Sequence, residues 1–205
     1  VKEFASQSRA IEEMPGKPSI QRKGQMGTAL GMGMGYPQAV PGEMGYNYQL
    51  PTEDDVRRAI GYGMKLFRLG SLRERLIKPG LKSELYLGTD ARGKPYSLPK
   101  IREFLKFCNS VDCKVMLDLF HNYGGFSEGN NASTSNNPQH KKIGTSDGPS
   151  YDVFANDWKA IIKYLKEDTE AWNAVYGVDV MNEWVGLPSD NIFYASQRFR
   201  SEERR

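Results

Sequence analysis

The chain has 205 residues, 39% hydrophobic and 26% charged, with a formal net charge of +3. That is enough for one globular domain with a real core, and too apolar for disorder throughout. The charge balance is too mild for a nucleic-acid binder, no basic stripe precedes the last eight residues, and no apolar run reaches the roughly 18 residues of a membrane span. Residue 1 is Val and no signal-like segment follows it, so the expectation is a processed product or a fragment. Two cysteines, Cys108 and Cys113, make neither a disulfide framework nor a zinc ribbon. A bridge between them is geometrically open; small buried hydrophobes are the plainer expectation.

Residues 1–23 are polar and broken by Pro15, Gly16 and Pro18. They read as an arm or linker with a short helix around Arg9–Met14, and residues 24–205 as the folded unit. Met26–Met34 alternates small and apolar residues and predicts a buried strand. A loop rich in Gly, Pro and Tyr follows, up to Pro51. Thr52 predicts a helix N-cap, with Glu53, Asp54 and Asp55 in the positive first turn and Gly63 as the stop. Lys65–Leu69 predicts a short strand. Leu98–Ser110 is amphipathic, with Ile101, Phe104, Leu105 and Cys108 on its apolar side. Lys114–Phe120 predicts a strand buried on both faces. Tyr151 to about Lys166 predicts a helix whose buried face is Phe154, Trp158, Ile161, Ile162 and Leu165. Ala174–Met181 predicts the next strand, and Asn191–Arg205 a last helix.

This alternation predicts an α/β fold of parallel strands with helical crossovers, either a doubly wound sheet or a β/α barrel. The dinucleotide fingerprint is not met, because Gly31, Gly33 and Gly35 sit within or at the end of the strand, far from the helix. No GxxxxGK[ST] or GxSxG occurs. In a barrel, function collects where strands end. Tyr36 follows the first strand, Arg68 the second, His121, Asn122 and Tyr123 the third, and Asn182, Glu183 and Trp184 the fourth. Singly, each has an ordinary structural reading; together they fall at equivalent ends of successive strands. A carboxyl beside Trp184 is a candidate general acid with a raised pKa, and Asn182 suits a substrate hydroxyl. Tyr36, Tyr46, Tyr48, Tyr123, Phe126 and Trp184 crowd the predicted mouth loops, and flat rings beside amides and carboxylates suit a sugar. Asp118, His121, His140 and Glu183 are conceivable metal ligands, but no ligand spacing supports a metal, and no cofactor is expected.

An ordered set of motifs resembles a known family. Pro41-Gly42, Tyr48 and Pro51-Thr52-Glu53; Phe67-Arg68-Leu69; Val115-Met116-Leu117-Asp118 with His121-Asn122-Tyr123-Gly124; and Tyr176-Gly177 with Met181-Asn182-Glu183 are similar to the cellulase-type members of glycoside hydrolase family 5. That resemblance implies a (β/α)8 TIM barrel, of which about the first four β/α units are present. It implies a retaining endo-β-glycanase acting on a polysaccharide. Glu183 would be the acid/base, Asn182 would hold the 2-hydroxyl of the sugar, and Arg68 would orient the nucleophilic carboxylate. His121 would be a further catalytic residue, hydrogen-bonding around the cleaved-bond subsite with Asn122 beside it, and Asn122, Tyr123, Trp184 and Tyr36 would bind substrate.

The sequence departs from the family pattern in four places. Trp184 and Gly70 stand where Pro is usual, and two residues, Leu119 and Phe120, separate Asp118 from His121 where one is common. The family's nucleophile, a Glu ending strand seven, has no counterpart within these residues. The acids Asp118 and Asp179 are expected inside or early in their strands. The alternative is a non-catalytic glycan-binding or structural module, of a cell-surface or virus-tail assembly. The expected partners are a polysaccharide or oligosaccharide and the complementary barrel half, in the same or another chain, with no nucleic acid and no membrane. The substrate class implies an extracellular, surface-associated or virion-associated location.

Overall fold

The computed structural model describes residues 27–28, 43–45, 48–80, 82–120, 124–127, 140–182 and Tyr194. Strand β1 is Gly27–Thr28; the remainder of the predicted Met26–Met34 strand, the arm, and the predicted Asn191–Arg205 helix apart from Tyr194 lie outside the described residues. Helix α1, Glu53–Gly61, opens on a complete capping box. The Asp55 amide donates to Thr52 Oγ1, and the Thr52 amide donates to Asp55 Oδ2. Tyr62 is its C-cap and Gly63, at φ +80°, takes the left-handed position that ends the helix.

Strand β2 is Leu66–Gly70, followed by a 3-10 turn at Arg73–Arg75. Helix α2 is Ser97–Ser110 and strand β3 is Lys114–Asp118. A short hairpin, β4 (Gly125–Ser127) against β5 (His140–Lys142), precedes helix α3, Tyr151–Lys166. Helix α4, Thr169–Ala174, leads directly into strand β6, Val175–Val178. The 3-10 turn, the hairpin and α4 carry no strong hydrophobic period, which is why the sequence pattern passes over them. Asp168 caps α4 by accepting from the Ala171 amide, ending α3 and starting α4 within three residues.

The main sheet is parallel, in the order β1-β2-β3-β6. Each new strand is added beside the previous main-sheet strand. A doubly wound sheet reverses its order at a switch point; this one does not. Nor is it covered alike on both faces. Phe67, Leu69, Val115 and Leu117 alternate onto one face, are essentially fully buried, and belong to one core with Val56, Ile101, Leu105, Trp158 and Ile161 of the helices. Leu66, Arg68 and Met116 alternate onto the other face and are only half-buried. Helices on one face and an open second face are the layering of a barrel wall. Among the described residues the sheet does not close on itself.

Phe120, the extra residue ahead of His121, is a core residue. Its ring lies 4.7 Å from Trp158 and 5.8 Å from both Phe126 and Phe154. The irregular pairing lies earlier, between β3 and β6. Val115 and Met116 face Val175 and Gly177, which leaves Tyr176 as the bulged residue. Both cysteines are free and buried.

Candidate active site

The in-register pairing of β2 with β3 sets Arg68 opposite Met116 and Gly70 opposite Asp118. Arg68 thus lies in the middle of its strand, not after it as the sequence pattern suggests. Its side chain stands on the open face, the same side as Asp118 two residues further along β3. Beyond the last β6 residue the backbone still follows β3. The Asp179 amide donates to the Leu117 carbonyl (2.8 Å) and the Asn182 amide to the Phe120 carbonyl (3.2 Å). Trp158 Nε1 donates to the Val180 carbonyl (2.9 Å), tying this segment to α3. These bonds carry Asp179 and Asn182 to the same end of the sheet as Asp118.

Four side chains meet there. Arg68 Nη2 lies 2.6 Å from Asp179 Oδ2, 2.8 Å from Asn182 Oδ1 and 3.0 Å from Asp118 Oδ2. Asp118 is buried, whereas about a third of Arg68 and of Asp179 is exposed, so the cluster is partly open to solvent. Asp118 is the last residue of β3 and Asp179 the first after β6. Both therefore stand at strand ends, not inside or early in their strands as expected from sequence, and both pair with Arg68. That carboxylate pairing was missed because an acid at the end of an apolar strand has no sequence signal for its partner.

The loop after β2 is built on buried charge. Arg73 Nε donates to Asp157 Oδ2 on α3 (2.6 Å), its Nη2 donates to the Gly80 carbonyl (3.2 Å), and its guanidinium lies 4.5 Å from the Phe126 ring centroid. Burial pushes the Asp157 carboxyl up, and the nearby Arg73 pulls it back only in part. Arg75 lies 4.1 Å over the Tyr48 ring, and Tyr48 Oη and Ser97 Oγ share a 2.6 Å hydrogen bond. Burial raises the Tyr48 phenol and lowers the Arg75 guanidinium. Tyr48 and Phe126 are therefore wall residues, each with a cation over its ring. Neither is the exposed stacking surface that the sequence suggests.

Of the expected site residues, Arg68 and Asn182 are brought together by a direct hydrogen bond. Glu183 and Trp184 follow Asn182 in sequence, and His121, Asn122 and Tyr123 follow Phe120; these five and Tyr36 lie outside the described residues. Among the described residues no three or more His, Cys, Asp or Glu side chains gather as a metal site. A separate groove of about 460 Å³, lined by Leu50, Pro51, Phe104 and Phe107 with Lys100 and Glu103, holds none of the Arg68 cluster.

Solved structures similar to this chain are endoglucanases. XacCel5A matches at 27% identity with a TM-score of 0.67, over 88% of this chain and 48% of that one; its complex with cellopentaose matches equally well, over 88% and 49%. An endo-β-1,4-glucanase from Xanthomonas axonopodis pv. citri, carrying a triple mutation, matches at 27% identity and TM-score 0.66, over 87% and 48%. Cel5A of Pseudomonas stutzeri, in complex with cellobiose, matches at 22% identity and TM-score 0.64, over 90% and 50%, a likeness of fold. These neighbours are glycoside hydrolase family 5 cellulases with the (β/α)8 barrel. The chain spans about half the length of each. No family model matches the sequence, and no curated protein matches it.

Proposed function

We propose that this chain forms the acid/base half of a family 5 endo-β-1,4-glucanase barrel, with residues 24–205 as its first four β/α units and residues 1–23 as an arm. The observation that carries the reading is the 2.8 Å hydrogen bond from Arg68 to Asn182. Two residues 114 positions apart, each singled out by a family motif, meet at the strand ends of a one-sided parallel sheet. The likeness to XacCel5A at 27% identity supports the same reading.

In this reading Glu183 protonates the departing glycosidic oxygen and then draws a proton from the attacking water. Asn182 donates to the sugar 2-hydroxyl. A nucleophilic Glu, supplied from the complementary barrel half, attacks the anomeric carbon, and the two carboxyls stand about 5–5.5 Å apart, as retention requires. Arg68 orients that nucleophile through guanidinium nitrogens not engaged by Asp118, Asp179 and Asn182. His121, Asn122, Tyr123, Trp184 and Tyr36 bind the glucan around the bond cleaved. The substrate is a cello-oligosaccharide or β-glucan chain, and the place of action is outside the cell or at its surface. Among the described residues no helix is long and apolar enough to cross a membrane.

The test is hydrolysis of a soluble β-1,4-glucan by the longest natural polypeptide that contains this segment, beside its Glu183→Gln variant. The reading expects turnover in the first and loss of about a hundredfold or more in the second. Equal activity in both removes the acid/base assignment. Tight oligosaccharide binding with no turnover in either supports the non-catalytic glycan-binding module instead.

A further inference from the structure

Two segments at the mouth end of the sheet are joined by charge. In a parallel sheet the strand-to-helix connections gather at one end, which in a barrel is the mouth. Here they are residues 29–52, between β1 and α1, and residues 71–96, between β2 and α2. The first connection meets the second through Glu43. Lys94 Nζ donates to Glu43 Oε1 and Arg92 Nη1 stands beside Glu43 Oε2, each at 2.5 Å, so one carboxylate is gripped by a cation at either oxygen. Charge-assisted contacts of this kind are about twice as strong as neutral ones.

The grip is prepared by the fold of the second connection. Asp90 Oδ1 accepts from both the Arg92 and the Lys94 amides, at 2.9 Å each. The Asp90 amide donates to the Lys94 carbonyl (2.7 Å) and the Gly93 amide to the Asp90 carbonyl (2.9 Å). Gly93 takes φ +77°, which only a glycine adopts freely. This Asp-closed turn fixes the backbone of both cations, although 61% of the Arg92 side chain and 51% of Lys94 are exposed; Glu43, between them, is only 15% exposed. Five residues past Glu43, Tyr48 is pinned to the same region by Arg75 and Ser97. The Gly45 amide, between the two attachments, donates to the Tyr48 carbonyl (2.7 Å).

We propose that Glu43 is a positioning residue: its clasp by Arg92 and Lys94 holds the β1–α1 connection in the arrangement that binds a glucan. This deepens the glycosidase reading and rests on it, because that reading sets Tyr36, on the same connection, against the substrate. A binding segment held in place by a clasp binds more weakly, by the fraction of time it is misplaced, once the clasp is gone. The clasp therefore acts on affinity, and the chemical step proceeds unchanged in the bound complex.

The experiment uses the longest natural polypeptide containing this segment and cellopentaose as substrate. Glu43→Gln is expected to raise KM about threefold or more with kcat within about twofold. Its melting temperature should stay close to that of the parent, since both cations are exposed. Hydrogen exchange at the Gly45 amide should be faster by a similar factor. Adding Glu43→Gln to the Arg92→Gln, Lys94→Gln variant should raise KM no further. Cellopentaose is uncharged, so raising salt from 0.1 to 1 M, which shortens the screening length from about 10 to about 3 Å, should raise KM in the parent more than in Glu43→Gln. If Glu43→Gln does not fold, Lys94→Gln at the exposed end of the clasp should show the same split between KM and kcat. An unchanged KM in a folded variant, or a loss confined to kcat, overturns the clasp, and the glycosidase reading then stands on Glu183→Gln alone. If the parent binds cellopentaose without turnover, the same variants are compared in calorimetric affinity, and equal affinities overturn the clasp. A parent that neither binds nor cleaves cellopentaose removes the reading and the clasp with it.

Discussion

Asp157 offers the sharpest test of how the site wall is held. Its carboxylate and the Arg73 guanidinium are 2.6 Å apart, with 0% and 5% of the side chains exposed. Replacing Asp157 by Leu keeps the volume and removes the carboxylate that pairs with Arg73. At an effective dielectric near 20, unit charges about 4 Å apart attract by about 4 kcal/mol. Removing one partner of a buried pair costs about 3–5 kcal/mol in comparable cases. For a domain of this size that lowers the melting temperature by roughly 6–20 °C. The companion variant is Arg73→Met with Asp157→Leu, which removes both charges. Because burial raises the Asp157 carboxyl more than Arg73 lowers it, the pair does not fully repay its desolvation, and the double variant should be neutral or more stable. The sign with pH agrees. A carboxyl raised in the folded state binds protons more readily there than when unfolded. Its burial cost is fully present above the folded pKa and is relieved as pH falls through that value. Urea unfolding of parent, single and double variants measures all three quantities. A single-variant cost below about 1 kcal/mol, the scale of an exposed pair, would refute the argument. So would a double variant as unstable as the single one.

Thr52→Ala removes the α1 capping box and should cost about 1 kcal/mol by urea unfolding. The Thr52 hydroxyl and amide hold the Asp55 carboxyl below the usual carboxylate range. The stabilisation from that depressed carboxyl is therefore present above about pH 4 and fades as pH falls through its folded value, so the gap between parent and Thr52→Ala should narrow in acid without closing, since the Asp55 amide still donates to Thr52 Oγ1 in the parent. Burial pushes the Cys108 thiol up to about 12. The thiolate is the reactive species, and at pH 8 it is about one part in ten thousand of such a thiol. Iodoacetamide should leave Cys108 unmodified in the native protein and alkylate it after denaturation. Rapid labelling of native Cys108, read by mass spectrometry, would contradict its burial.

Hydrophobic period and helix punctuation carry over from sequence to structure at α1, α2 and α3. Thr52 caps, Gly63 stops, and the apolar stripes of α2 and α3 are buried as their spacing predicts. β2 and β3 are legible because they are short apolar runs between such helices. The 3-10 turn at Arg73–Arg75 was illegible for the opposite reason. Its residues are charged, and tertiary partners such as Asp157 for Arg73 and the Tyr48 ring for Arg75 lie far away in sequence. Phe120 looked like an insertion in a motif because its role depends on three aromatic rings elsewhere in the chain. At the site, Arg68 and Asn182 were legible as motif residues. The acids that hold Arg68 were not, since Asp118 and Asp179 acquire that role only when β3 and β6 lie side by side.

Glu183 carries the central claim, and chemical rescue tests it most directly. In the longest natural polypeptide containing this segment, Glu183→Ala should lose most activity on cello-oligosaccharides, whose leaving group needs a proton. It should still form the glycosyl-enzyme from a dinitrophenyl cellobioside, whose leaving group does not. Added azide should then accelerate turnover and yield a glycosyl azide of retained configuration, the small anion entering where the general base has been removed. No rescue by azide, or equal losses on both substrates, would contradict the acid/base role of Glu183 and with it the account.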